Sequence, residues 1–312
     1  MPWFRQKSGN GQQIGMGFHH TGISVVNLQR SGSRLPQLVS CSFHEADGEV
    51  ARGQQLVQLA RKLKLKKTPV VVALEPDYYT LLQIEAPEVE PEELRLAVRW
   101  RIKDLIDFHI DDAVLDIFAL PQTRRAGAPQ TMFVVAVRKS IIQSIADQFH
   151  EADLNLCAID ITELSLRNLL SWYENTESGG VQALLYLAPD YGIIEIAQES
   201  TLYLNRRIEI GARDFQEQGG YGLDELMDSL ILELQRSLDY HESEFGKGPV
   251  SALSIIGPEE HRDQLIEYAS QNLAAHVEPM MVGRQIEGLG AVSPEQLNIC
   301  VPALGAAMRP GV

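Results

Sequence analysis

The chain has 312 residues, of which 45% are hydrophobic and 22% are charged, so it has enough apolar side chains for two hydrophobic cores. This composition excludes a disordered tail and a small disulfide scaffold. Its 42 Asp and Glu against 27 Lys and Arg give a formal net charge of -15. The averaged field of such a chain repels phosphate backbones, and we do not expect nucleic acid as a partner.

The first part of the chain predicts three strands, a helix and a fourth strand. Short apolar stretches between turn residues mark the strands, and apolar positions at helical spacing mark the helix. The predicted strands cover 14–18, 22–28, 37–43 and 70–74, and the helix covers about 50–66. The last strand is continuously apolar, as expected for a strand covered on both faces.

The same order of elements returns near residue 181. Three strands, a helix and a strand are predicted at 181–187, 192–197, 202–210, 223–242 and 251–256. A β-β-β-α-β unit that occurs twice is the signature of the actin-like fold, in which two ribonuclease H-like halves face each other across a cleft. A doubly wound sheet fits less well, because it would not place three strands before each helix.

Between the two units, residues 76–140 predict an inserted small α+β subdomain. Its elements are predicted at 79–85, 91–106, 113–120 and 131–137, the second being a helix and the others strands. Helices at 141–149 and 162–173 then flank a strand at 154–159, and 174–180 is typical of a linker. The fold class is therefore α/β and actin-like, with a first half at 13–75 plus 141–175, the insertion at 76–140 and a second half at 181–308.

In an actin-like fold, a nucleotide would lie between the halves, at the first hairpin of each unit. A phosphate-binding hairpin needs small residues whose N–H groups face the oxygens, and an Asp that holds Mg²⁺ or its waters. The first hairpin contains Gly17 and His19 and no carboxylate. By register, the second hairpin has Tyr186 and Ala188 at those positions, with Asp190 as a possible substitute.

A third nucleotide contact would come from the glycine loop after the late strand of the second unit. That loop keeps Gly257, but Glu259 and Glu260 follow it and would oppose a triphosphate, although such acids also suit the first turn of a helix. Three weak sites argue against ATP hydrolysis, so the sequence predicts no cofactor, with Mg-ATP as the alternative. Adjacent His19 and His20 point apart and do not suggest a metal site, and no motif of a known catalytic class occurs.

The cysteines and the lengths of the apolar segments indicate in which cellular compartment the protein is found. Cys41, Cys157 and Cys300 lack the close spacing of a metal knuckle or a redox dithiol, and we expect all three to be small buried hydrophobic residues. The first twelve residues contain no apolar core of signal-peptide length, and the strongest apolar runs have only the length of a strand. We therefore expect a cytoplasmic chain that spans no membrane.

The helix predicted in the inserted subdomain carries a basic stripe. Its cations follow one another at a spacing of four residues: Arg95, Arg99 and Lys103. Trp100 and Arg101 lie beside them. Such a stripe is either a solvated face or the edge of a groove that receives an acidic or carboxylate-bearing partner.

Two segments resemble the PilM-like family of actin-fold pilus biogenesis proteins. Residues 96–116 resemble a family segment in which a helix is followed by an Ile-Pro turn, a D-E/D-V-x-x-D stretch and a strand. Residues 231–240, ILELQRSLDY, resemble the family's E-x-x-R-S-L-x-Y helix. The resemblance extends from about residue 14 to 307, and within the family it is nearest to the variant of the mannose-sensitive haemagglutinin (MSHA) type IV pilus system.

The resemblance implies a cytoplasmic actin-like protein that is peripheral at the inner membrane. It implies docking to the N-terminal cytoplasmic peptide of a bitopic PilN/MshJ-like protein, and a further contact with the pilus assembly ATPase. In the family the peptide lies in a groove between the first half and the inserted subdomain, where the helix with Trp100 should lie. The residues expected to bind the partner are Trp100, Arg101, Arg99 and Lys103, with Asp104 and Asp116 as structural supports.

The sequence departs from the family pattern at two places. The Asp of each phosphate hairpin is replaced by Gly17 and Tyr186, which argues against carrying nucleotide binding over. The Ile-Pro turn has become Ile106-Asp107, and Arg101 replaces an acid, so the partner peptide is expected to differ as well.

The function predicted from the sequence is a non-catalytic scaffold of an MSHA-type pilus machine. The alternative is an ATP-binding actin-like switch in the same machine. A third candidate, the cytoplasmic part of a GspL-like type II secretion protein, is less favoured because no apolar span follows residue 309.

Overall fold

The computed structural model describes residues 11–31, 35–65, 68–123, 127, 129–177, 180–217, 221–282 and 286–311, without the side chains of 174–177 and 221. The strands are β1 (Gly11–His19), β2 (Gly22–Arg30), β3 (Gln37–Glu45), β4 (Pro69–Leu74), β5 (Tyr79–Glu85), β6 (Ala113–Ala119), β7 (Thr131–Arg138), β8 (Asn155–Ile161), β9 (Gln182–Leu187), β10 (Gly192–Gln198), β11 (Thr201–Ile208), β12 (Ala252–Ile256) and β13 (His276–Pro279). The helices are α1 (Gly48–Leu63), α2 (Leu94–Ile102), α3 (Lys139–Glu151), α4 (Thr162–Glu177), α5 (Ala212–Glu217), α6 (Tyr221–Phe245), α7 (Arg262–Asn272) and α8 (Pro294–Ala307). Short 3-10 turns lie at Pro76–Tyr78, Ile110–Asp112 and Leu289–Ala291.

Two of the sheets have the same strand order. The first sheet runs β3-β2-β1-β4-β8 and the second runs β11-β10-β9-β12-β13. In each sheet, three antiparallel strands come first, and the innermost of them pairs in parallel with a strand that follows a helix. This repeated topology confirms the predicted α/β class with duplicated halves.

The inserted subdomain contributes a separate three-stranded sheet in the order β5-β7-β6. Because side chains of a strand alternate between the two faces, β7 connects two different hydrophobic clusters. Val134 and Ala136 pack with Val98 of α2, whereas Val135 and Val137 pack into the core of the first half. The sheet therefore lies between α2 and the first half.

Two helices lie between the sheets of the two halves and pack against each other. Helix α4 packs on the second sheet, and α8, the last helix of the chain, packs on the first sheet. The approach of α8 depends on Gly15 of β1, where a Cβ atom would lie only 1.8 Å from the Ala303 carbonyl oxygen. A backbone oxygen cannot move aside, so glycine is required at this position.

Several helices begin or end at residues other than those predicted. Helix α2 is shorter than predicted at 91–106, because residues 91–93 and 103–105 form turns outside it. Helix α4 continues to Glu177 through most of the predicted linker at 174–180; positions 178 and 179 lie outside the described residues. Helix α1 ends at Leu63, with Lys64 in the left-handed region at φ 53°, earlier than the predicted end at residue 66, which also lies outside the described residues.

The expectation that all three cysteines are buried is wrong. Cys300 is buried in α8, Cys41 is partly exposed, and Cys157 is exposed. The reason for Cys157 is that β8 is an edge strand of the first sheet, and every second side chain at its start points towards solvent. Periodicity in the sequence does not distinguish an edge strand from a central one over so short a segment.

Candidate functional site

The two cleft hairpins have matching register. In β1 and β2, Gly17 lies opposite Ser24, and in β9 and β10, Tyr186 lies opposite Ile193. In both hairpins the partners are seven positions apart along the chain. Gly17 and Tyr186 thus share this separation, although the turn between the strands has two residues in the first hairpin and four in the second.

Polar side chains fill the first hairpin. His19 Nε2 lies 2.8 Å from Ser24 Oγ, and His19 Nδ1 lies 3.7 Å from Glu75 Oε1. The backbone N–H of His20 donates to Glu75 Oε2 at 2.8 Å. Burial alone would raise the pKa of Glu75, but the bonds from His19 and the His20 N–H outweigh it and lower the pKa. A carboxylate of this chain thus occupies a backbone donor that a phosphate would need.

The position of Gly17 cannot accept a side chain without rearrangement. A Cβ atom there would lie 2.4 Å from Ser24 Oγ and 2.8 Å from His19 Nε2. An Asp of the kind that holds magnesium would have to displace the contact between His19 and Ser24. The residues present in this hairpin therefore do not fit a magnesium-bound phosphate.

A buried tyrosine fills the second hairpin. The Tyr186 hydroxyl donates to the Asn298 carbonyl oxygen of α8 at 3.0 Å, and burial raises the Tyr186 pKa above its ordinary value. Asn298 Nδ2 donates to the Leu187 carbonyl oxygen at 2.9 Å. Ala188 is buried next to them, and its carbonyl oxygen accepts from the Ala212 N–H. Residues of α8 and α5 thus form hydrogen bonds with the Tyr186 hydroxyl and with the carbonyl oxygens of Leu187 and Ala188, which would otherwise face a ligand.

A cleft of about 250 Å³ adjoins the second hairpin. Gly257 lies in its wall, where a Cβ atom would come within 3.3 Å of the Leu187 side chain. The charged side chains along the wall are three carboxylates and one guanidinium: Glu259, Glu260, Glu295 and Arg213. Arg213 already forms an ion pair with Asp190. The cleft therefore disfavours a polyphosphate.

A buried carboxyl group lies at the start of α4 and was not singled out by the sequence. Glu163 is buried and accepts a short hydrogen bond from the Tyr79 hydroxyl of β5. Burial raises the pKa of Glu163 to about 7 despite that bond. In the sequence Glu163 is an ordinary acid in the first turn of a helix, because nothing local shows that the helix start is covered by the inserted subdomain.

In the part of the chain that the structure describes, no group of three or more His, Cys, Asp and Glu side chains could hold a metal ion. His19 and His20 both engage Glu75, the first through its ring and the second through its backbone N–H. They belong to the hairpin network.

The outer surface of the inserted subdomain carries exposed apolar side chains. Leu96 and Trp100, one turn apart on α2, are 60% and 67% exposed. Lys103 Nζ lies 5.5 Å from the centre of the Trp100 ring. Arg101 follows Trp100 and pairs with Glu85 at 3.1 Å. We call Leu96, Trp100, Arg101 and Lys103 the α2 surface; Asp104 is exposed just beyond it.

The first two cations of the predicted stripe have a different role. Strand β6 is an edge strand. Just beyond its end, the Leu120 N–H donates to the Thr131 carbonyl oxygen, so the even-numbered residues are hydrogen-bonded to β7. The backbone N–H and C=O groups of the odd-numbered residues therefore point away from β7. Arg95 donates to the outward Leu115 carbonyl oxygen at 3.0 Å. Arg99 donates to the carbonyl oxygens of Ala113 and Ile110 and to the carboxylate of Asp111.

Asp116 completes this cover of the edge strand. Its carboxylate accepts from Arg95 and from the N–H of Ile117. Side chains thus occupy the outward carbonyl oxygens of Ala113 and Leu115 and the outward N–H of Ile117, which hinders pairing of this edge with another strand. Arg95 and Arg99 belong to this cover and are less available to a partner than the sequence suggested.

The expected place of the Trp100 helix is wrong. From the resemblance we expected this helix in a groove between the first half and the inserted subdomain. In the structure, Val98 and Ile102 pack on one face of the subdomain sheet, whereas the first half packs on the other face. Trp100 is consequently on the outer side of the subdomain, because the pleat of β7 directs its alternate side chains to two separate cores.

The sequence matches no family model and no curated protein. Among solved structures, a PilM-PilN type IV pilus biogenesis complex is 19% identical with a TM-score of 0.72, covering 96% of this chain and 99% of that chain. A Bacteroides thetaiotaomicron protein with an actin-like ATPase fold and unknown function is 11% identical with a TM-score of 0.52, covering 96% and 98%. This protein has the actin-like ATPase fold.

A third solved structure is the cytoplasmic domain of EpsL, an inner membrane component of the type II secretion system of Vibrio cholerae. It is 12% identical with a TM-score of 0.49, covering 93% of this chain and 94% of that one. Across the described ranges of this actin-like protein, no helix is long and apolar enough to cross a membrane.

Proposed function

We propose that this actin-like protein is a non-catalytic docking component of a type IV pilus assembly machine, nearest to MshI of the MSHA system. It is cytoplasmic and is held at the inner membrane by the N-terminal peptide of a PilN/MshJ-like protein. The overlap with the chain from a PilM-PilN complex, at a TM-score of 0.72 over almost the whole length of both chains, carries the proposal.

The α2 surface supports a peptide-binding role. Trp100 and Leu96 present a large apolar area to solvent, and exposed aromatic anchors of this kind dominate the energetics of many interfaces. Lys103 and Arg101 add positive charge on a protein with a net charge of -15. An apolar side chain of the peptide would pack on Trp100, and an acidic side chain would pair with a neighbouring cation.

The composition of the cleft supports a role without nucleotide hydrolysis. In the first hairpin, the carboxylate of Glu75 accepts from the His20 N–H. In the second hairpin, Tyr186 is buried and its hydroxyl donates to the Asn298 carbonyl oxygen. The loop that follows β12 adds the carboxylates of Glu259 and Glu260 to the wall of the cleft beside the second hairpin. We therefore place the function of the protein in docking, at the α2 surface.

A binding experiment tests the docking surface. A labelled peptide of the first twenty or so residues of the PilN/MshJ-like partner is titrated with the protein, and anisotropy reports the dissociation constant. The double variant Trp100→Ala, Arg101→Ala should bind at least about tenfold more weakly, because removal of an anchor of this kind costs about 2 kcal/mol. Leu232→Ala, which removes an exposed apolar side chain on α6, is the control and should bind like wild type.

Undiminished binding by the double variant would refute the α2 surface as the docking site, and absence of binding by wild type would refute the peptide partner.

A contact with the pilus assembly ATPase belongs to the same proposal. Co-purification of the two proteins with and without the partner peptide tests it.

The rival function is an ATP-binding switch. A ligand present at about a hundred times its dissociation constant stabilises the folded protein by about 2.7 kcal/mol. A thermal shift experiment with Mg-ATP should therefore show no change if our proposal is correct. A clear rise of the melting temperature would support the switch.

A further inference from the structure

Two of the three cysteines meet across the interface between β3 and α8, although they are 259 positions apart in the chain. Cys41 of β3 lies opposite Val26 and packs against the same hydrophobic cluster that contains Cys300 of α8. The Cys300 Sγ lies 3.7 Å from the carbonyl oxygen of Ser42, the next residue after Cys41. Gln296, one turn earlier in α8, donates to the Cys41 carbonyl oxygen at 2.9 Å. The Cys300 thiol thus lies against the backbone that follows Cys41, and the two cysteine side chains interact with each other.

The two thiols differ in their environment. Cys41 is partly exposed, and the hydrogen bond from the Cys300 thiol lowers its pKa more than burial raises it. Cys300 is buried, and the contact with Cys41 together with burial raises its pKa well above the ordinary value. The thiolate is the reactive form of cysteine, so oxidation should begin at Cys41. Cys300 then stands next to the oxidised sulfur as a resolving thiol.

We propose that Cys41 and Cys300 form a reversible disulfide when the protein meets hydrogen peroxide. The Cys41 thiolate attacks one peroxide oxygen, the O–O bond breaks, and the leaving hydroxide takes up a proton to become water. The sulfur of Cys300 then attacks the Cys41 sulfenic acid, the S–O bond breaks, and the thiol proton of Cys300 leaves with the hydroxide as a second water. Two thiols are oxidised by two electrons in total, and one peroxide is reduced to two waters.

The disulfide would add a covalent bond to an interface that packing and hydrogen bonds hold together. Strand β3 belongs to the first sheet, whereas α8 carries Asn298, which contacts both Tyr186 and Leu187 in the second hairpin. A covalent bond two residues from Asn298 fastens this helix to the first half. Oxidation should therefore restrict any movement that separates α8 from the first sheet. A reduced cytoplasm would keep the pair as thiols, so the bond is a transient one.

The test treats the folded, reduced protein with equimolar hydrogen peroxide and then identifies its peptides by mass spectrometry. We expect loss of two of the three free thiols, a linked peptide pair that contains Cys41 and Cys300, and recovery of the thiols with a dithiol reductant. The matched control is Cys157→Ala, which removes the exposed cysteine and should leave the link unchanged. The oxidised protein should also melt at a higher temperature than the reduced protein, because the bond closes a long loop.

A second variant tests the order of the steps. In Cys300→Ala, which keeps a small apolar side chain in the core, a sulfenic acid trap such as dimedone should label Cys41 in preference to Cys157. The proposal is overturned if wild type loses its thiols without the Cys41 to Cys300 link, if the product is a dimer through Cys157, or if the link forms only in denaturant.

Discussion

The two hairpins of the cleft differ in what they contain at Gly17 and at Tyr186. In the first hairpin, His19 and Ser24 occupy the space beside Gly17. In the second hairpin, Tyr186 is buried and reaches α8 with its hydroxyl. Buried apolar volume contributes more to stability than partly exposed polar contacts. The second hairpin should therefore contribute more to the free energy of unfolding, and the first should lose its contribution only in acid, where Glu75 takes up a proton.

The largest expected effect comes from Tyr186→Ala. The change removes a buried ring between β9 and α8 and leaves the Asn298 carbonyl oxygen without its donor, so the free energy of unfolding should fall by about 4 kcal/mol. Denaturant unfolding followed by circular dichroism measures the loss.

The control for this variant is Tyr240→Ala, at a partly exposed tyrosine of α6. It should cost less than about 1 kcal/mol, because Tyr240 is 38% exposed, whereas Tyr186 is only 1% exposed. Equal losses for the two tyrosines would show that Tyr186 has no special part in holding the cleft.

The second prediction concerns Glu163, which starts the helix packed against the second sheet. Its pKa is raised to about 7 by burial, so the folded state retains a proton that the unfolded state has lost. The contribution of Glu163 to stability is therefore complete below its ordinary pKa of 4.5 and is lost as pH rises through about 7. Glu163→Gln should stabilise the protein, relative to wild type, by about 2 to 3 kcal/mol more at pH 8 than at pH 5.

Unfolding free energies at the two pH values measure this difference. Glu260→Gln, at an exposed acid of the late loop, should show no such dependence on pH. If Glu163→Gln and wild type keep a constant difference from pH 5 to pH 8, the carboxyl group is ionised in the folded protein throughout that range.

The third prediction concerns Gly17→Asp, which places an acid in the first hairpin. Gly17→Asp should destabilise the protein by about 2 kcal/mol, because its Cβ atom would overlap with Ser24 Oγ and His19 Nε2. Gly11→Asp is the matched control, since a Cβ atom there meets nothing within 4 Å. Thermal unfolding of the two variants checks the difference. A loss at residue 17 no greater than at residue 11 would mean that the hairpin yields easily to a larger side chain.

The smallest expected effect comes from Glu75→Gln. The lowered pKa of Glu75 means that its contribution to stability is present above the ordinary pKa of 4.5 and is lost as pH falls through its lower value in the folded protein. At pH 7 the variant should be less stable than wild type by about 1 kcal/mol, since it loses charge-assisted bonds to His19 and to the His20 N–H. The difference should shrink in acid. A difference that stays constant down to pH 3 would contradict the assigned contacts.

Comparison of the sequence with the structure shows which features local patterns carry. The β-β-β-α-β order was readable twice, because strand and helix periodicities differ and turn residues separate them. The pairing of the two cleft hairpins was also readable, since it needs only the count of residues across each turn. The end of α4 was not, because polar residues after position 173 resemble a linker although the helix continues to Glu177.

What the sequence by itself determined is the α/β class, the duplicated order of elements and the two antiparallel hairpins of the cleft. These depend on residues that are neighbours along the chain. The tertiary structure alone decided that Cys41 meets Cys300, that Tyr79 covers Glu163, and that α2 lies on the outer face of its sheet. Each of these depends on packing between elements that are distant in the sequence, and a local pattern contains no information on which face of one element will meet another.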